Sequence, residues 1–301
     1  MIFRGAYIAM VIPTETHLCQ PPTMTSTTEI TDTQTLQGQL RLKIVGLYHQ
    51  AHAGHIGCSL SCVDLMIATL VLRKREQDTF LLSKGHAAAS LYACLNQLGE
   101  ISDEALASFY HNGTTLPAHP APNQHQGIPF ATGSLGHGLP IGTGIAQAGK
   151  LLGDDSRVFV LMSDGETNEG TTWEAAHFAL QHGLDNLIIL VDKNGLQGFG
   201  NTNEVMGDTA SIQTWKAIGF DTIDVDGHNV DDLLTTIDQL TDPAARNGKP
   251  KIVIARTVKG KGVSYMENRL EWHYLPMTEA QYEQACADIN ERYLLAQATQ
   301  A

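Results

Sequence analysis

The stretch from Val158 to Gly200 constrains the fold more than any other part of the chain. Val158–Met162 is a continuous apolar run, which is typical of a strand buried on both faces of a parallel sheet. Thr171 followed by Glu174 has the spacing of a capping box, so we expect a helix to begin at Thr171. Asn186–Val191 is a second apolar run. The pattern predicts a strand–helix–strand unit.

Polar turns follow both predicted strands, and each begins where its strand ends. Asp164-Gly165 lies in the first turn and Asn194-Gly195 in the second. The carboxyl ends of such strands form the crevice in which open α/β sheets bind ligands. Carboxylate and amide oxygens suit Mg²⁺, which usually shares its ligand shell with a phosphate group. Either pair alone is more typical of an ordinary turn, but together, after successive strands, they favour a metal–phosphate site.

A second strand–helix–strand pattern follows, at Phe220–Val225, Val230–Leu240 and Lys251–Val258. Two such units predict an α/β fold with a doubly wound, mostly parallel sheet flanked by helices. Residues 1–35 are rich in Thr, Pro and Gln, which predicts a flexible N-terminal lead-in. Residues 36–301 are then expected to form one domain.

The segment before the first unit also shows helical and strand patterns. The predicted elements are a helix at Leu36–Ala51, a helix that starts at Ser61 with Asp64 and runs to about Arg73, a strand at Asp78–Leu82 and a helix at Ala87–Leu98. Residues 112–135 contain four prolines and predict a long functional loop that leads into a glycine-rich helix.

Composition excludes several classes of function. The net charge of −13 argues against a general binder of nucleic acids or anionic membranes. No apolar run approaches the roughly 18 residues of a membrane helix. The five cysteines form no CxxC pair and show no zinc-site spacing. We therefore expect a cytoplasmic protein.

The segment from Asp164-Gly165-Glu166 to Asn194 resembles the thiamine diphosphate motif, with Ser163 in place of the motif's first glycine. The surrounding residues resemble those of transketolase in particular, and the resemblance covers about residues 36–296. It implies that Gly165 and Glu166 contact the diphosphate group. It also implies thiamine diphosphate as the cofactor, with Mg²⁺ or another divalent cation such as Ca²⁺ or Mn²⁺. The side chains of Asp164 and Asn194 and the backbone carbonyl of Leu196 would bind that cation.

Further motifs carry the same resemblance. The segment AGHIG is similar to the family's Ser-Gly-His-Pro-Gly, which implies that His55 lies at the substrate hydroxyl groups. SKGHA implies that His86 contacts the diphosphate, and PAHP places His119 over the substrate. GSLGHG resembles the stretch whose backbone, at Leu135 and Gly136, lies against the cofactor rings.

Two loops complete the implied site. Lys259 in VKGKG is implied near the diphosphate, and His273 in EWHYLP near both the cofactor and the substrate. Glu169 resembles a family glutamate near the subunit contact. Alternatively, its negative charge only stabilises the N-terminus of the following helix. Histidine suits proton transfer at sugar hydroxyls near neutral pH. Four further histidines are expected to be structural: His137, His177, His182 and His228.

The resemblance implies an enzyme that transfers a two-carbon ketol unit from a ketose to an aldose, with sugars or sugar phosphates as substrates. Single-chain transketolases continue with a pyrimidine-binding domain and a third domain, whereas this sequence stops at Ala301. We therefore expect the N-terminal subunit of a split transketolase. A separate C-terminal subunit would complete it, with homodimerisation in an α₂β₂ assembly.

Two alternatives remain from other classes. The α subunit of a 2-oxo-acid dehydrogenase shares the metal motif, but the segments AGHIG, SKGHA and GSLGHG speak against it. A non-catalytic cofactor-binding partner is the other alternative. That alternative is weakened by the joint presence of Asp164, Asn194, His55, His86, His119 and His273.

Overall fold

The computed structural model describes residues 32–122 and 125–295. Its central sheet has five strands, all parallel, in the spatial order β1-β2-β3-β7-β6. The strands are β1 (Thr79–Leu82), β2 (Val158–Ser163), β3 (Leu187–Lys193), β6 (Asp221–Asp226) and β7 (Lys251–Arg256). A separate antiparallel pair is formed by β4 (Leu196–Gln197) and β5 (Gly200–Asn201).

Ten α-helices surround the strands in the described part of the chain. They are α1 (Thr33–Ala51), α2 (Ile56–Met66), α3 (Ala88–Gln97), α4 (Asp103–Ala107), α5 (Gly138–Leu152), α6 (Gly170–Gln181), α7 (Thr202–Met206), α8 (Ile212–Ile218), α9 (Val230–Thr241) and α10 (Glu279–Ile289). A π-helical turn extends α2 at Ile67–Val71, and another extends α10 at Asn290–Leu295. None of the described helices is long and apolar enough to cross a bilayer.

The sheet separates two apolar cores. In β2, Phe159 and Leu161 belong to the core on the side of α1, α2, α3, α9 and α10. Val158, Val160 and Met162 belong to the core on the side of α5, α6 and α8. Successive side chains of a strand point to opposite faces, so a strand covered on both faces is apolar throughout. This confirms the predicted doubly wound fold and both predicted strand–helix–strand units.

Two predicted helix starts are wrong. The second helix begins at Ile56, where His55 with a φ of 73° precedes it, and not at Ser61. Ser61 and Asp64 are fully buried inside that helix, where Ser61 hydrogen-bonds Asp192 and Asp64 pairs with Arg41. Both polar residues therefore have distant partners, which local capping patterns do not reveal.

The predicted capping box at Thr171 and Glu174 is also wrong. Helix α6 begins at Gly170, and its first residues receive no side-chain cap. Thr171 Oγ1 instead donates to the carbonyl of Gly136, at 2.8 Å. The start of α6 is thereby tied to the loop that precedes α5.

Several elements position the candidate site. The segments that follow β1, β2, β3 and β7 all leave the same edge of the parallel sheet. The long loop was predicted correctly, since the described residues between α4 and α5 form neither helix nor strand. The hairpin β4–β5 and the short helices α7 and α8 were not predicted, because two-residue strands and single helical turns carry almost no periodic signal.

Candidate active site

A cavity of about 430 Å³ opens at the carboxyl ends of the strands. Most residues that the sequence singled out line it, although they come from seven separate segments. Those on its wall are His55, His86, His119, Leu135, Asp164, Gly165, Glu169, Asn194, Leu196, Lys259 and His273. Gly136 and Glu166 are the two that do not.

The turns after β2 and β3 are joined through Asp164. One carboxylate oxygen accepts from the backbone N–H of Gly165 at 2.8 Å, and the other accepts from Gly195 at 2.7 Å and from Thr202 at 3.2 Å. Asp164 is therefore held against the residue that follows Asn194. The convergence of the two turns, inferred from their positions after successive strands, is present in the structure.

Burial and the neighbouring charge of Asp192 raise the pKa of Asp164 to about 6. The hydrogen bonds of this carboxylate do not offset the cost of its desolvation, so a nearby positive charge would stabilise its ionised form. Asn194 points its Oδ1 toward the N–H of Leu196 at 3.1 Å, and its Nδ2 toward Asp192 at 3.2 Å. Asp164, Asn194 and Leu196 all line the cavity, and carboxylate, amide and carbonyl oxygens are the hard ligands that Mg²⁺ takes.

Four imidazole rings meet on another part of the wall. The ring of His55 lies 5.3 Å from that of His273, 5.6 Å from that of His86 and 6.1 Å from that of His119, measured between centroids. His86 and His273 stack at 5.7 Å. The structure thus brings together four histidines that are far apart in the sequence.

Three of these rings, those of His55, His86 and His119, are held toward the neutral form. Burial lowers the pKa of His55 to about 4, with smaller contributions from the neighbouring histidines. Burial also lowers the pKa of His86 and of His119. Neutral imidazoles both accept and donate hydrogen bonds, so this wall suits groups that exchange protons, such as hydroxyls.

Lys259 is fully buried and extends its ammonium group into the cavity wall. Its Nζ lies 3.2 Å from the Leu196 carbonyl, 3.1 Å from His273 Nδ1 and 3.2 Å from Cys58 Sγ. Burial alone would raise the pKa of Cys58. The charge of Lys259 and the hydrogen bonds of His86 and His273 lower the pKa by more than burial raises it, so the pKa of Cys58 lies well below its ordinary value. Cys58 was not singled out by the sequence, because the cysteines form no CxxC pair and show no zinc-site spacing.

A buried ion pair between Lys84 and Asp192 was also missed. Asp192 accepts from Lys84, Thr257, Ser61 at 2.6 Å and Asn194 at 3.2 Å. Because Asp192 takes the amide N–H of Asn194, the Oδ1 of Asn194 is directed away from it. The available signal was a charged residue placed directly after each of two apolar strands.

Glu166 is not among the residues that line the cavity. Its fully buried carboxylate accepts from Ser83, from the N–H of Gly136 at 2.8 Å and from the N–H of Ser163 at 3.3 Å. Its side chain therefore anchors the Leu135–Gly136 turn, and only its backbone remains for the expected diphosphate contact. Gly136 has a φ of 82°, and a Cβ there would lie 2.6 Å from Glu169 Cβ, so only glycine fits.

The wall has donors as well as acceptors for a phosphate-bearing ligand. Gln197 Nε2 is buried without a hydrogen-bond partner, while its Oε1 accepts from Asn168 at 3.3 Å. A buried N–H group in that state is costly unless a ligand pairs with it. With the ammonium of Lys259 nearby, these groups fit a cation-bound diphosphate.

The rim of the cavity is apolar and exposed. Phe199 is 89% exposed and Met206 61%, and both line the opening together with Val205 and Tyr274. Contiguous exposed apolar side chains commonly mark a binding surface.

A family model and the related proteins that the chain matches all name the same family. Residues 33–290 match the family model described as transketolase, thiamine diphosphate binding domain. A protein of Phocaeicola vulgatus, named as one of the subunits of an apulose-4-phosphate transketolase, is 38% identical over 261 residues, which are 84% of this chain and 92% of that protein. The 6-deoxy-6-sulfo-D-fructose transketolase subunit SqwG of Clostridium sp. is 34% identical over 247 residues, 79% of this chain and 89% of that protein.

Solved structures agree with the fold. Transketolase from Campylobacter jejuni superposes with a TM-score of 0.75 at 26% identity, over 85% of this chain and 42% of that one. Transketolase from Leishmania mexicana has a TM-score of 0.77 at 22% identity, over 90% of this chain and 46% of that one. The chain thus spans less than half the length of these solved transketolases.

Proposed function

The chain belongs to the transketolase family through the thiamine diphosphate-binding domain that it matches, and from this premise we propose that it is the N-terminal subunit of a two-chain transketolase. In this proposal it transfers a two-carbon ketol unit from a ketose to an aldose, with sugars or sugar phosphates as substrates. In this proposal residues 36–301 would be the diphosphate-side domain and residues 1–35 a lead-in, although α1 already begins at Thr33; residues 1–31 and 296–301 lie outside the described structure.

One observation carries the proposal. A set of hard oxygens on Asp164, Asn194 and Leu196 shares a single cavity with the imidazoles of His55 and His119. Such oxygens suit Mg²⁺ with a phosphate group, and neutral imidazoles suit proton transfer at hydroxyls. A ketol transfer needs both.

The roles follow from the positions of the side chains. Asp164, Asn194 and the Leu196 carbonyl would hold the divalent cation, while His86 and Lys259 would hold the diphosphate by hydrogen bonding and charge. The backbone at Leu135, Gly136 and Gly165 would lie along the cofactor. Thiamine diphosphate, when bound, supplies the carbanion and the electron sink of the reaction.

The histidines on the substrate side would move protons. His55, His119 and His273 line the cavity, and in this proposal the substrate hydroxyls would lie against them. Because burial lowers the pKa of His55 and His119, both rings are neutral near pH 7 and each has an unprotonated nitrogen that can accept a hydrogen bond from a substrate hydroxyl.

A separate C-terminal subunit, with the pyrimidine-binding and C-terminal domains, would cover the cavity. The exposed rim at Phe199, Met206 and Tyr274 supports this. Exposed apolar side chains around a polar cavity are what a second chain would bury when it completes the site. Glu169 is exposed at the same opening and fits a subunit contact. We further propose an α₂β₂ assembly in the cytoplasm, in keeping with the buried free thiols among the described cysteines.

The test is to purify the chain with and without its partner and to add Mg²⁺ and thiamine diphosphate. A panel of ketose donors and aldose acceptors is then assayed. We expect turnover only with both chains present. Full activity of this chain alone would refute the split site, and binding of neither cofactor nor partner would refute the proposal as a whole.

A further inference from the structure

His228, which the sequence left as a structural residue, bridges a buried carboxylate and the backbone next to Lys259. Its Nδ1 lies 2.7 Å from Asp64 Oδ2, and its Nε2 accepts from the N–H of Val258 at 2.8 Å. Since Nε2 accepts, the proton of the neutral ring is on Nδ1, which donates to Asp64. The two contacts therefore fix one tautomer and one ring orientation.

Asp64 is in turn fixed by Arg41. The guanidinium donates to both carboxylate oxygens, at 2.8 and 2.6 Å, and both side chains are fully buried. Burial alone would raise the pKa of Asp64, but Arg41 and His228 hold it well below its ordinary range. The carboxylate stays charged, and the bidentate geometry leaves it one position.

The same cluster also holds the far side of Lys259. Arg41 Nε donates to the carbonyl of Lys261 at 3.2 Å, so the turn is held at Val258 by His228 and at Lys261 by Arg41. Lys259 lies between these two points. Its own carbonyl accepts from the N–H of Asn268 at 3.0 Å.

The aliphatic part of the Lys259 side chain packs closely against Gly57. A Cβ at Gly57 would lie 3.1 Å from Lys259 Cγ, and the Gly57 carbonyl accepts from the N–H of Gly260 at 3.0 Å. The backbone of the turn and the start of the side chain are therefore both fixed. A shift of the turn by an ångström would move the ammonium group out of reach of the Leu196 carbonyl and of His273.

We propose that Arg41, Asp64 and His228 form a positioning cluster for Lys259, which sets where its ammonium group meets the bound diphosphate. Buried ion pairs are weak sources of stability, because apolar residues often replace them without loss. Here the cluster connects α1 and α2 to one turn of the cavity, which is a positional role. The inference rests on the proposed function for its ligand, but its geometry can be tested without one.

Two substitutions separate the two contacts of His228. In His228→Asn the amide can still donate to Asp64 but is too short to accept from Val258. In His228→Gln the longer side chain can still accept from Val258. A matched control is His111→Asn, at an exposed histidine of the long loop.

The first measurement is deuterium uptake of the peptide covering residues 256–262 in the full chain without ligand. We expect faster uptake in His228→Asn and wild-type uptake in His228→Gln and His111→Asn. Unchanged uptake in His228→Asn overturns the proposal. Should His228→Asn not fold, the Gln variant decides, because faster uptake there overturns the proposal and wild-type uptake supports it.

The second measurement is the affinity for thiamine diphosphate with Mg²⁺, by calorimetry, in a double-mutant cycle with Lys259→Met. Loss of an outer positioning contact typically weakens a site by about 10–100-fold. We expect His228→Asn to weaken binding on the order of tenfold in the wild-type background and by less than about twofold beside Lys259→Met. Equal losses in both backgrounds overturn the proposal. If the wild-type chain binds no cofactor either alone or together with its partner subunit, the proposed function fails, while the uptake experiment still decides the positioning.

Discussion

The ammonium group of Lys84 and the carboxylate of Asp192 form a fully buried ion pair that joins the carboxyl ends of β1 and β3. Burial alone would lower the pKa of Lys84, but Asp192 more than offsets it and the pKa lies above its ordinary value. Asp192 also accepts from Asn194. One pair therefore connects the sheet to a residue of the candidate cation site.

Removing one member of this pair should be more harmful than removing both. Lys84→Met leaves the Asp192 charge buried and unpaired, and we expect a loss of about 3–5 kcal/mol in the free energy of unfolding. The double variant Lys84→Met/Asp192→Asn should recover part of that loss. Urea unfolding measures both.

The exposed pair between Lys193 and Asp208 provides the control for that experiment. We expect Lys193→Met to cost no more than about 1 kcal/mol. Equal losses for Lys84→Met and Lys193→Met would contradict the buried pairing.

Asp164→Ala should abolish the stabilisation of the chain by thiamine diphosphate with Mg²⁺. A ligand at 100 times its Kd stabilises a protein by about 2.7 kcal/mol, which a thermal melt detects. Asp238→Ala, which removes an exposed partner of Arg73, should keep the full shift. An unchanged shift in Asp164→Ala would count against the cation site.

The pH dependence of stability should carry the signature of His55. Its folded pKa of about 4 lies below its ordinary value of 6.5, so the folded state binds fewer protons between these values. Its contribution is therefore complete above pH 6.5 and is lost as the pH falls toward 4. Asn tolerates the left-handed backbone at this position, so His55→Asn should lose less stability over this range. Parallel urea midpoints for the two proteins, or a ring titration by NMR near pH 6.5, would contradict this.

Two glycines of α5 should respond in opposite directions to the same change. A Cβ at Gly142 would lie 2.5 Å from Val160 Cγ2, whereas one at Gly144 would meet nothing within 4 Å. We expect Gly142→Ala to destabilise the chain by about 1–3 kcal/mol. Gly144→Ala should stabilise it by about 0.5–1 kcal/mol, because alanine favours the helix. Changes of the same sign in urea unfolding would contradict the packing of α5 on β2.

The strands of the fold were predictable because burial on both faces leaves a continuous apolar run. Val158–Met162 and Asn186–Val191 carry that signal directly, and the structure extends each by a residue or two. The ligand-binding edge then follows from strand direction alone. Most residues of the cavity wall were predicted from the resemblance to transketolase, since single histidines in loops carry little information by themselves.

What the sequence did not reveal depends on long-range pairing. Ser61 contacts Asp192, 131 residues away, and Asp64 contacts His228, 164 residues away. Ser61 followed by Asp64 has the local pattern of a helix start. The helix start predicted there is wrong, because both side chains lie inside α2 and pair with these distant residues. Thr171 was misread for the same reason, because its hydroxyl bonds to Gly136 and not to its own helix.

The four imidazoles on the cavity wall have a consequence for selectivity. Their centroids lie 5.3–6.1 Å apart, so a proton taken up by one ring raises the cost of charging the next. Burial lowers the pKa of His55 and of His119, so both rings are neutral near pH 7 and each can present either a donor or an acceptor to a hydroxyl. Under the proposed function, such a surface would accept hydroxyl groups in differing orientations, and discrimination between sugars would depend on the shape of the space above it.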